Sequence, residues 1–273
     1  MIRGGLIDRF RYLKSRVRGN TTKILVLNPN SSKAMTDGMR AVIDSINLPY
    51  STEIYTYTAP SNAPSSINDG KDLEQSTKAV VDDIQNSYPD GLDYDGVVIA
   101  CYSVHPLVST MQRSRAYPKS VTGIFEASIL AALSLLGPDD TWGIVTTGKF
   151  WEKHLAEGVK TFLGATDSTS RFAGVESTGL NASDFHHGVD PEVVRKKLNE
   201  ATKRLLSKLG VKCIAMGCAG MAGLEEIIRS AAREEKGEEF AYSELHVIDG
   251  IRAGIMQIEH IIRHQREIPG KPS

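Results

Sequence analysis

Two of the three cysteines in this 273-residue chain stand where they could do chemistry. Cys101 and Cys218 each follow an apolar run typical of a buried strand, and each precedes residues that can start a helix. Catalytic groups of open α/β sheets gather at the carboxyl ends of strands. Cys213 lies inside the second run, and we assign it to the core, where cysteine acts as a small apolar filler. The pattern therefore predicts two functional thiols and one structural thiol.

Two thiols that face one another across a cleft suit the inversion of a carbon centre. One thiolate removes a proton from one face of the carbon, and the other thiol delivers a proton to the opposite face. The segment AGMAG (219–223) has small residues that expose backbone N–H groups before a helical pattern. A helix N-terminus favours the thiolate, so we expect a lowered pKa for Cys218. Backbone N–H groups of Ala219 and Gly220 would stabilise the enolate oxygen.

Other readings of the cysteines stay open at this stage. Both could be buried core residues, in which case iodoacetamide should not modify them until the protein unfolds. His105 is close enough in sequence to modulate the Cys101 thiol, or it simply starts a helix. No CxxC motif occurs, and no pair of histidines accompanies the thiols at metal-ligand spacing. We therefore predict neither a metal site nor a disulfide.

The elements that must position these thiols repeat along the chain. Strand patterns at 23–27, 51–58 and 96–100 alternate with helical patterns up to about residue 47 and at 72–87. The order restarts with strands at 141–145, near 171–176 and at 211–216, and with helices at 150–162 and 191–208. Cys101 follows Asn28 by 73 positions, and Cys218 follows Thr147 by 71. Apolar strands separated by amphipathic helices predict βαβ units around parallel sheets.

The repeat predicts an α/β protein of two pseudo-symmetric lobes, each a mainly parallel sheet flanked by helices, with the active site in the cleft between them. Residues 21–119 and 249–268 would form the first lobe, to which the last helix returns. Residues 120–248 would form the second lobe, and residues 1–20 a basic extension. The loop 59–70, rich in Pro, Ser and Asn, has no core-forming pattern and predicts a mobile flap.

Composition narrows the class of partner. The formal net charge is −1, which argues against binding to nucleic acid or to a membrane surface, and no apolar run approaches the ~20 residues of a membrane span. A low cysteine count suits a reducing compartment, so we expect a cytoplasmic protein with a small-molecule substrate. Residues 1–20 carry six basic side chains against one acid, in a spacing that allows an amphipathic helix. Such a segment is either an organelle transit peptide or a solvated extension.

Four motifs together resemble the aspartate/glutamate/hydantoin racemase superfamily, and most closely its hydantoin/allantoin racemase branch. They are LNPNSS (27–32), ACY (100–102), GIFEA (123–127) and MGCAGM (216–221), and the resemblance spans about residues 23 to 262. It implies two lobes, a cofactor-independent two-thiol mechanism, a homo-oligomer, and Cys101 and Cys218 as the acid/base pair. It also implies residues that hold a carbonyl, ring amide or carboxylate of the substrate: Asn30, Ser31, Tyr102, Thr146 and Thr147.

Departures from the family pattern leave the substrate open. Cys101 is followed by YSVHP, whereas hydantoin racemases have small and acidic residues before the proline, and Cys218 lacks the Thr-His that follows it in glutamate racemases. Glu126 is either a first-turn helix acid or part of the site. The leading hypothesis is a racemase of a 5-substituted hydantoin or an allantoin-like ureide. The alternatives are an Asp/Glu racemase, a maleate-isomerase-like enzyme, and a non-catalytic small-molecule-binding protein on the same scaffold.

Overall fold

Two mainly parallel sheets with the same strand order form the framework of the protein. This computed structural model describes residues 11–13, 21–49, 51–118, 120–165, 171–185 and 188–267. The first sheet has the order β1-β3-β2-β4-β5 and comprises β1 (Arg11–Leu13), β2 (Thr22–Asn28), β3 (Thr52–Thr58), β4 (Gly96–Ile99) and β5 (Ser120–Gly123). The second has the order β7-β6-β8-β9 and comprises β6 (Thr141–Thr146), β7 (Phe172–Ser177), β8 (Val211–Gly217) and β9 (His246–Ile248).

The strand order shows the internal repeat directly. β1 pairs antiparallel with β3, and the other pairings are parallel. Without β1, each sheet places its second strand at the edge, followed by its first, third and fourth strands in chain order. The parallel strands require crossover connections, which helices supply. The predicted α/β class with two pseudo-symmetric lobes is therefore confirmed.

Eight α-helices flank the sheets in the described part of the chain. Several begin at a side chain that accepts a hydrogen bond from a backbone N–H of the first turn, as Ser32 does from Met35 and Asp249 from Arg252. The helices are α1 (Lys33–Ser45), α2 (Gly70–Ser87), α3 (Pro106–Arg113), α4 (Ile124–Leu135), α5 (Phe150–Leu163), α6 (Pro191–Leu206), α7 (Glu225–Lys236) and α8 (Gly250–Arg266). Within the described ranges, none is long and apolar enough to cross a membrane.

The two lobes exchange their last helices. α4 follows β5 of the first sheet but packs on β8 and β9 of the second, whereas α8 follows β9 but packs on β2, β4 and β5 of the first sheet. The two helices also pack on each other. Glycine permits the close approach, because a Cβ at Gly254 of α8 would lie 2.7 Å from a methyl group of Val98 in β4. This exchange ties the two lobes together.

Three sequence predictions need correction. The first sheet extends to Gly123 because β5 pairs with β4, so the lobe boundary predicted after residue 119 falls too early. Most of the basic extension, residues 1–20, for which an amphipathic helix was allowed, lies outside the described residues, but residues 11–13 form β1, which pairs with β3. The loop after β3 is packed rather than a free flap. Ala63 and Ile67 are buried there, and the Ser31 hydroxyl donates to the Ala63 carbonyl at 3.0 Å.

Candidate active site

Both predicted functional cysteines line one cavity between the carboxyl ends of the two sheets. Its volume is about 30 Å³, room for about one or two water molecules, so a larger ligand requires the cavity to open. The lining residues are Asn30, Met35, Ile67, Ala100, Cys101, Tyr102, Thr147, Trp151, Ala182, Gly217, Cys218, Ala219 and Gly220.

The two lobes build this cavity from matched parts. In both lobes the lining residues come from the loop after the first strand, the helix that follows, the segment after the second strand and the end of the third strand. In that order they are Asn30, Met35, Ile67 and Cys101 in the first lobe, and Thr147, Trp151, Ala182 and Cys218 in the second. The internal repeat therefore sets one thiol from each lobe against the same enclosed space.

Cys101 follows β4 and is half-buried in the cavity wall. Its sulfur lies 3.3 Å from the Ser103 hydroxyl oxygen. Burial raises the pKa of the Cys101 thiol to about 12, because a thiolate loses its hydration there. The Ser103 contact opposes this increase, and the charges of Cys218 and Glu126 add to it. Cys101 is therefore held as a neutral thiol near neutral pH.

Cys218 follows β8 and has a different set of partners. The backbone N–H of Gly220 donates to its sulfur at 3.2 Å. Burial raises the pKa of the Cys218 thiol to about 11, and the N–H groups of Gly220 and Met221 partly offset that effect. The expected lowering of this pKa is wrong. Cys218 precedes only one short 3-10 turn, Ala219–Met221, and α7 begins further along at Glu225, so the thiol is not at the N-terminus of an α-helix.

The two thiols are thus similar in kind but unequal. The charge of Cys218 raises the pKa of the Cys101 thiol, which indicates that the two thiols interact electrostatically across the cavity. The thiol of Cys218 ionises at the lower pH because backbone N–H groups stabilise its thiolate. Cys213 is fully buried within β8, which confirms its assignment to the core.

Four polar residues were predicted from the loops after the first strands, and only two of them line the cavity. Thr147 lines it, and no described residue hydrogen-bonds its hydroxyl group. Asn30 also lines it, and its side-chain oxygen accepts bonds from the Asn28 side chain and the Ser32 N–H. The other two are absent from the lining. Thr146 is fully buried and donates to the Gly217 carbonyl at 2.8 Å, and Ser31 donates to the carbonyl of Ala63.

The remaining predicted contacts are also revised in detail. Tyr102 lines the cavity, but its hydroxyl oxygen is buried and has no hydrogen-bond partner among the described residues. Its ring packs edge-on against Phe125, with centroids 5.6 Å apart. The hydroxyl group is therefore not available to a ligand. Ala219 and Gly220 line the cavity, yet the Gly220 N–H is already bonded to the Cys218 sulfur.

His105 supports the site from outside the cavity lining. It caps α3, because its Nδ1 accepts the Leu107 N–H at 3.2 Å, which leaves the ring proton on Nε2. Nε2 lies 3.4 Å from the Ser76 hydroxyl, and that hydroxyl donates to the Pro29 carbonyl at 2.6 Å. Burial lowers the pKa of His105 to about 3, so the ring is neutral. This chain of contacts fixes the loop that carries Asn30.

Sequence reasoning missed the apolar part of the lining. Four apolar lining residues are almost fully buried: Met35 in α1, Ile67 in the loop after β3, Trp151 in α5 and Ala182 in a short turn after β7. Nothing in the sequence separates such residues from ordinary core. None of the described lining residues is Lys, Arg, Asp, Glu or His. The described ranges also hold no group of three side chains suited to a metal ion.

Comparison with known proteins identifies the family of the chain that forms this cavity. The family model described as Asp/Glu/Hydantoin racemase matches residues 24–258, which include every residue of the cavity lining. The chain belongs to this family. An uncharacterized protein of Schizosaccharomyces pombe is 32% identical to it over 241 residues, covering 88% of this chain and 92% of that protein.

Two racemases are also similar to this chain. A hydantoin racemase from Paenarthrobacter aurescens is 28% identical over 202 residues, covering 74% of this chain and 79% of that enzyme. Allantoin racemase from Klebsiella pneumoniae shares the fold, with a TM-score of 0.71 and 24% identity. The alignment covers 90% of this chain and 89% of that one. The two-lobed architecture is thus that of the racemases.

Proposed function

We propose that this protein racemises a 5-substituted hydantoin or an allantoin-like ureide by proton transfer between two thiols and without a cofactor. The observation that carries the proposal is the matched pair of cysteines, one from each lobe, in the wall of one cavity. Membership of the racemase family and the similarity to a hydantoin racemase support it.

The reaction follows from the arrangement of the thiols. One cysteine, as the thiolate, takes the proton from C5 of the ring, and the bonding electrons move onto the neighbouring carbonyl oxygen to form an enolate. The other cysteine, as the thiol, gives its proton to the opposite face of C5. The product is the mirror-image ring, and the two sulfurs have exchanged protonation states. The reverse reaction uses the same groups in exchanged roles.

The lining favours a neutral ring over a charged substrate. Aspartate, glutamate and maleate would bring carboxylates into a space whose described lining offers no cationic side chain. Burying a carboxylate without a partner is costly, whereas an uncharged ureide needs only hydrogen bonds. Met35, Ile67, Trp151 and Ala182 add apolar surface for the ring or its substituent. We therefore rank the amino-acid racemase and maleate isomerase alternatives below the ureide racemase.

Polarimetry on single enantiomers tests the proposed function. The panel contains 5-substituted hydantoins with alkyl and aryl groups, allantoin, aspartate and glutamate. We expect the optical rotation of at least one ureide to decay to zero with enzyme, and that of both amino acids to stay constant. Racemisation of an amino acid alone would contradict the proposal. Calorimetric binding of a ureide with no exchange of its C5 proton would instead support a non-catalytic binding protein.

Thr147→Val tests whether the free hydroxyl in the cavity contacts the substrate. The substitution keeps the shape of the side chain and removes one donor, so we expect kcat/KM to fall about tenfold. Thr146→Val is the matched control. It removes a hydroxyl that bonds the Gly217 carbonyl, so it should lower the melting temperature more than it alters KM. Equal effects of the two variants on KM would contradict the assignment of Thr147.

A further inference from the structure

Glu126 is a half-buried acid that the proposed mechanism does not use. It lies in the first turn of α4, and its Oε2 atom is buried without a hydrogen-bond partner in the described part of the chain. The carboxyl group folds back over the end of β5, where a Cβ at Gly123 would collide with Oε2. Glycine at 123 therefore leaves the space that the carboxyl group occupies. A first-turn acid that only stabilised the helix dipole would gain from exposure to water, whereas this one is enclosed.

The carboxyl group lies next to the strand that presents Cys101. Gly123 pairs with Ile99 across the first sheet, and Ile99 is two residues before Cys101. A negative charge on Glu126 raises the pKa of the Cys101 thiol and of the Tyr102 phenol. Burial raises the pKa of the Cys218 thiol, and two backbone N–H groups oppose that increase. Glu126 therefore acts on the Cys101 member of the thiol pair.

No cationic side chain in the described part of the chain contributes to the pKa of Glu126. α3 presents a methyl group of Val108 to Gly123, and α8 presents Gly250 and Gly254 to Ile124 at the start of α4. The ionisable groups coupled to its charge are the Cys101 thiol and the Tyr102 phenol. Burial raises the pKa of Glu126 to about 7, and the backbone N–H groups of Glu126 and Gly123 only partly oppose this. The carboxyl group thus changes charge near neutral pH.

We propose that Glu126 is a positioning residue for the thiol pair, whose carboxylate adds to the burial that holds Cys101 protonated and so helps to leave Cys218 as the resting base. Two negative charges in one low-dielectric wall repel, so ionisation of Glu126 makes ionisation of Cys101 less favourable. Cys218 has backbone N–H donors that stabilise its thiolate. The coupling is a property of the free protein, and only its catalytic meaning rests on the proposed function.

The pH dependence of cysteine alkylation tests this coupling without any substrate. Wild type and Glu126→Gln are treated with iodoacetamide from pH 6 to pH 9, and mass spectrometry gives the rate at each cysteine separately. At pH 6, where Glu126 carries its proton, we expect similar rates for Cys101 in both proteins. At pH 9 the variant should react about tenfold faster at Cys101, because its thiolate no longer faces a carboxylate. The Cys218 rate should not change.

A matched control and a second variant separate charge from folding. Glu192→Gln makes the same change in the first turn of α6, where the side chain is exposed, and should leave the Cys101 rate unaltered at every pH. Gly123→Ala displaces the Glu126 carboxyl group without removing it, and should also accelerate Cys101 at pH 9. Circular dichroism confirms the fold of each variant.

Three results would overturn the proposal. The first is an alkylation rate of Cys101 at pH 9 that is the same in folded Glu126→Gln as in wild type. The second is an equal acceleration of Cys101 alkylation by Glu126→Gln at pH 6 and at pH 9. The third applies if neither variant folds: carbon NMR of wild type labelled at its glutamate carboxyl groups then shows no carboxyl group that titrates near pH 7. If the coupling holds but no ureide is racemised, the proposed function fails and the coupling stands.

Discussion

Replacement of Cys101 or Cys218 by alanine should lower the rate of inversion by about 10³-fold or more. Each thiol supplies one of two proton transfers, and a positioned acid or base contributes about 10²–10⁴-fold. Loss of one stops inversion in both directions, because each enantiomer needs a base on one face and an acid on the other. The measurement is polarimetry on both single enantiomers with each purified variant.

Cys213→Ala is the matched control for this prediction. It makes the same chemical change within β8, the strand that leads to Cys218, but at a fully buried position outside the cavity lining. We expect it to retain the wild-type rate of inversion while it lowers the melting temperature through lost core packing. Retention of wild-type racemisation by either Cys101→Ala or Cys218→Ala would defeat the two-thiol mechanism.

The second large effect is on pH dependence. Burial raises the pKa of Cys218 to about 11 and that of Cys101 to about 12 in the free protein. The base must be a thiolate. As long as the pH is below the pKa of Cys218, about 11, the thiolate fraction rises tenfold for each unit by which the pH increases. We therefore expect kcat/KM, which reports ionisations of the free enzyme, to rise about a hundredfold from pH 7 to pH 9.

The profile is measured with one enantiomer at several concentrations in overlapping buffers, and circular dichroism at each pH confirms that the protein stays folded. A plateau of kcat/KM below pH 8 would contradict the account, because it would show a thiolate that forms near the ordinary cysteine pKa. Because burial and backbone N–H groups set the pKa of Cys218, Glu126→Gln should preserve the slope of the profile.

The sequence was sufficient to predict the internal repeat and the strands that lead to Cys101 and Cys218. It was not sufficient to predict two neighbouring elements, β5 and α4. The strands before Cys101 and Cys218 are apolar runs with clear ends, and their order recurs. α4 has no polar face to mark a helical period, because it lies between the second sheet and α8 and is apolar on most sides. β5, Ser120–Gly123, is as short as β4 but has Val121 as its one large apolar residue, so it lacks the apolar run that marked β4.

The site was predictable to within one residue along each loop. Side chains of an extended segment alternate between its two sides, so of two adjacent polar residues only one faces a given cavity. Asn30 and Thr147 line the cavity, while Ser31 and Thr146 bond to backbone carbonyls elsewhere. Thiol acidity could not be read from the sequence, since it depends on burial and on where the next helix begins.

The central claim is that two different sulfurs act on opposite faces of one carbon, and solvent isotope exchange tests it most directly. A single enantiomer of a substrate hydantoin is incubated with wild type in deuterium oxide, and both enantiomers are separated and weighed by mass spectrometry before a tenth of the substrate has turned over. The account predicts that the inverted product carries deuterium at C5 from the first turnover, because its new hydrogen comes from a solvent-exchanged thiol. Inverted product that keeps the original hydrogen would show a single group acting on both faces and would contradict the account.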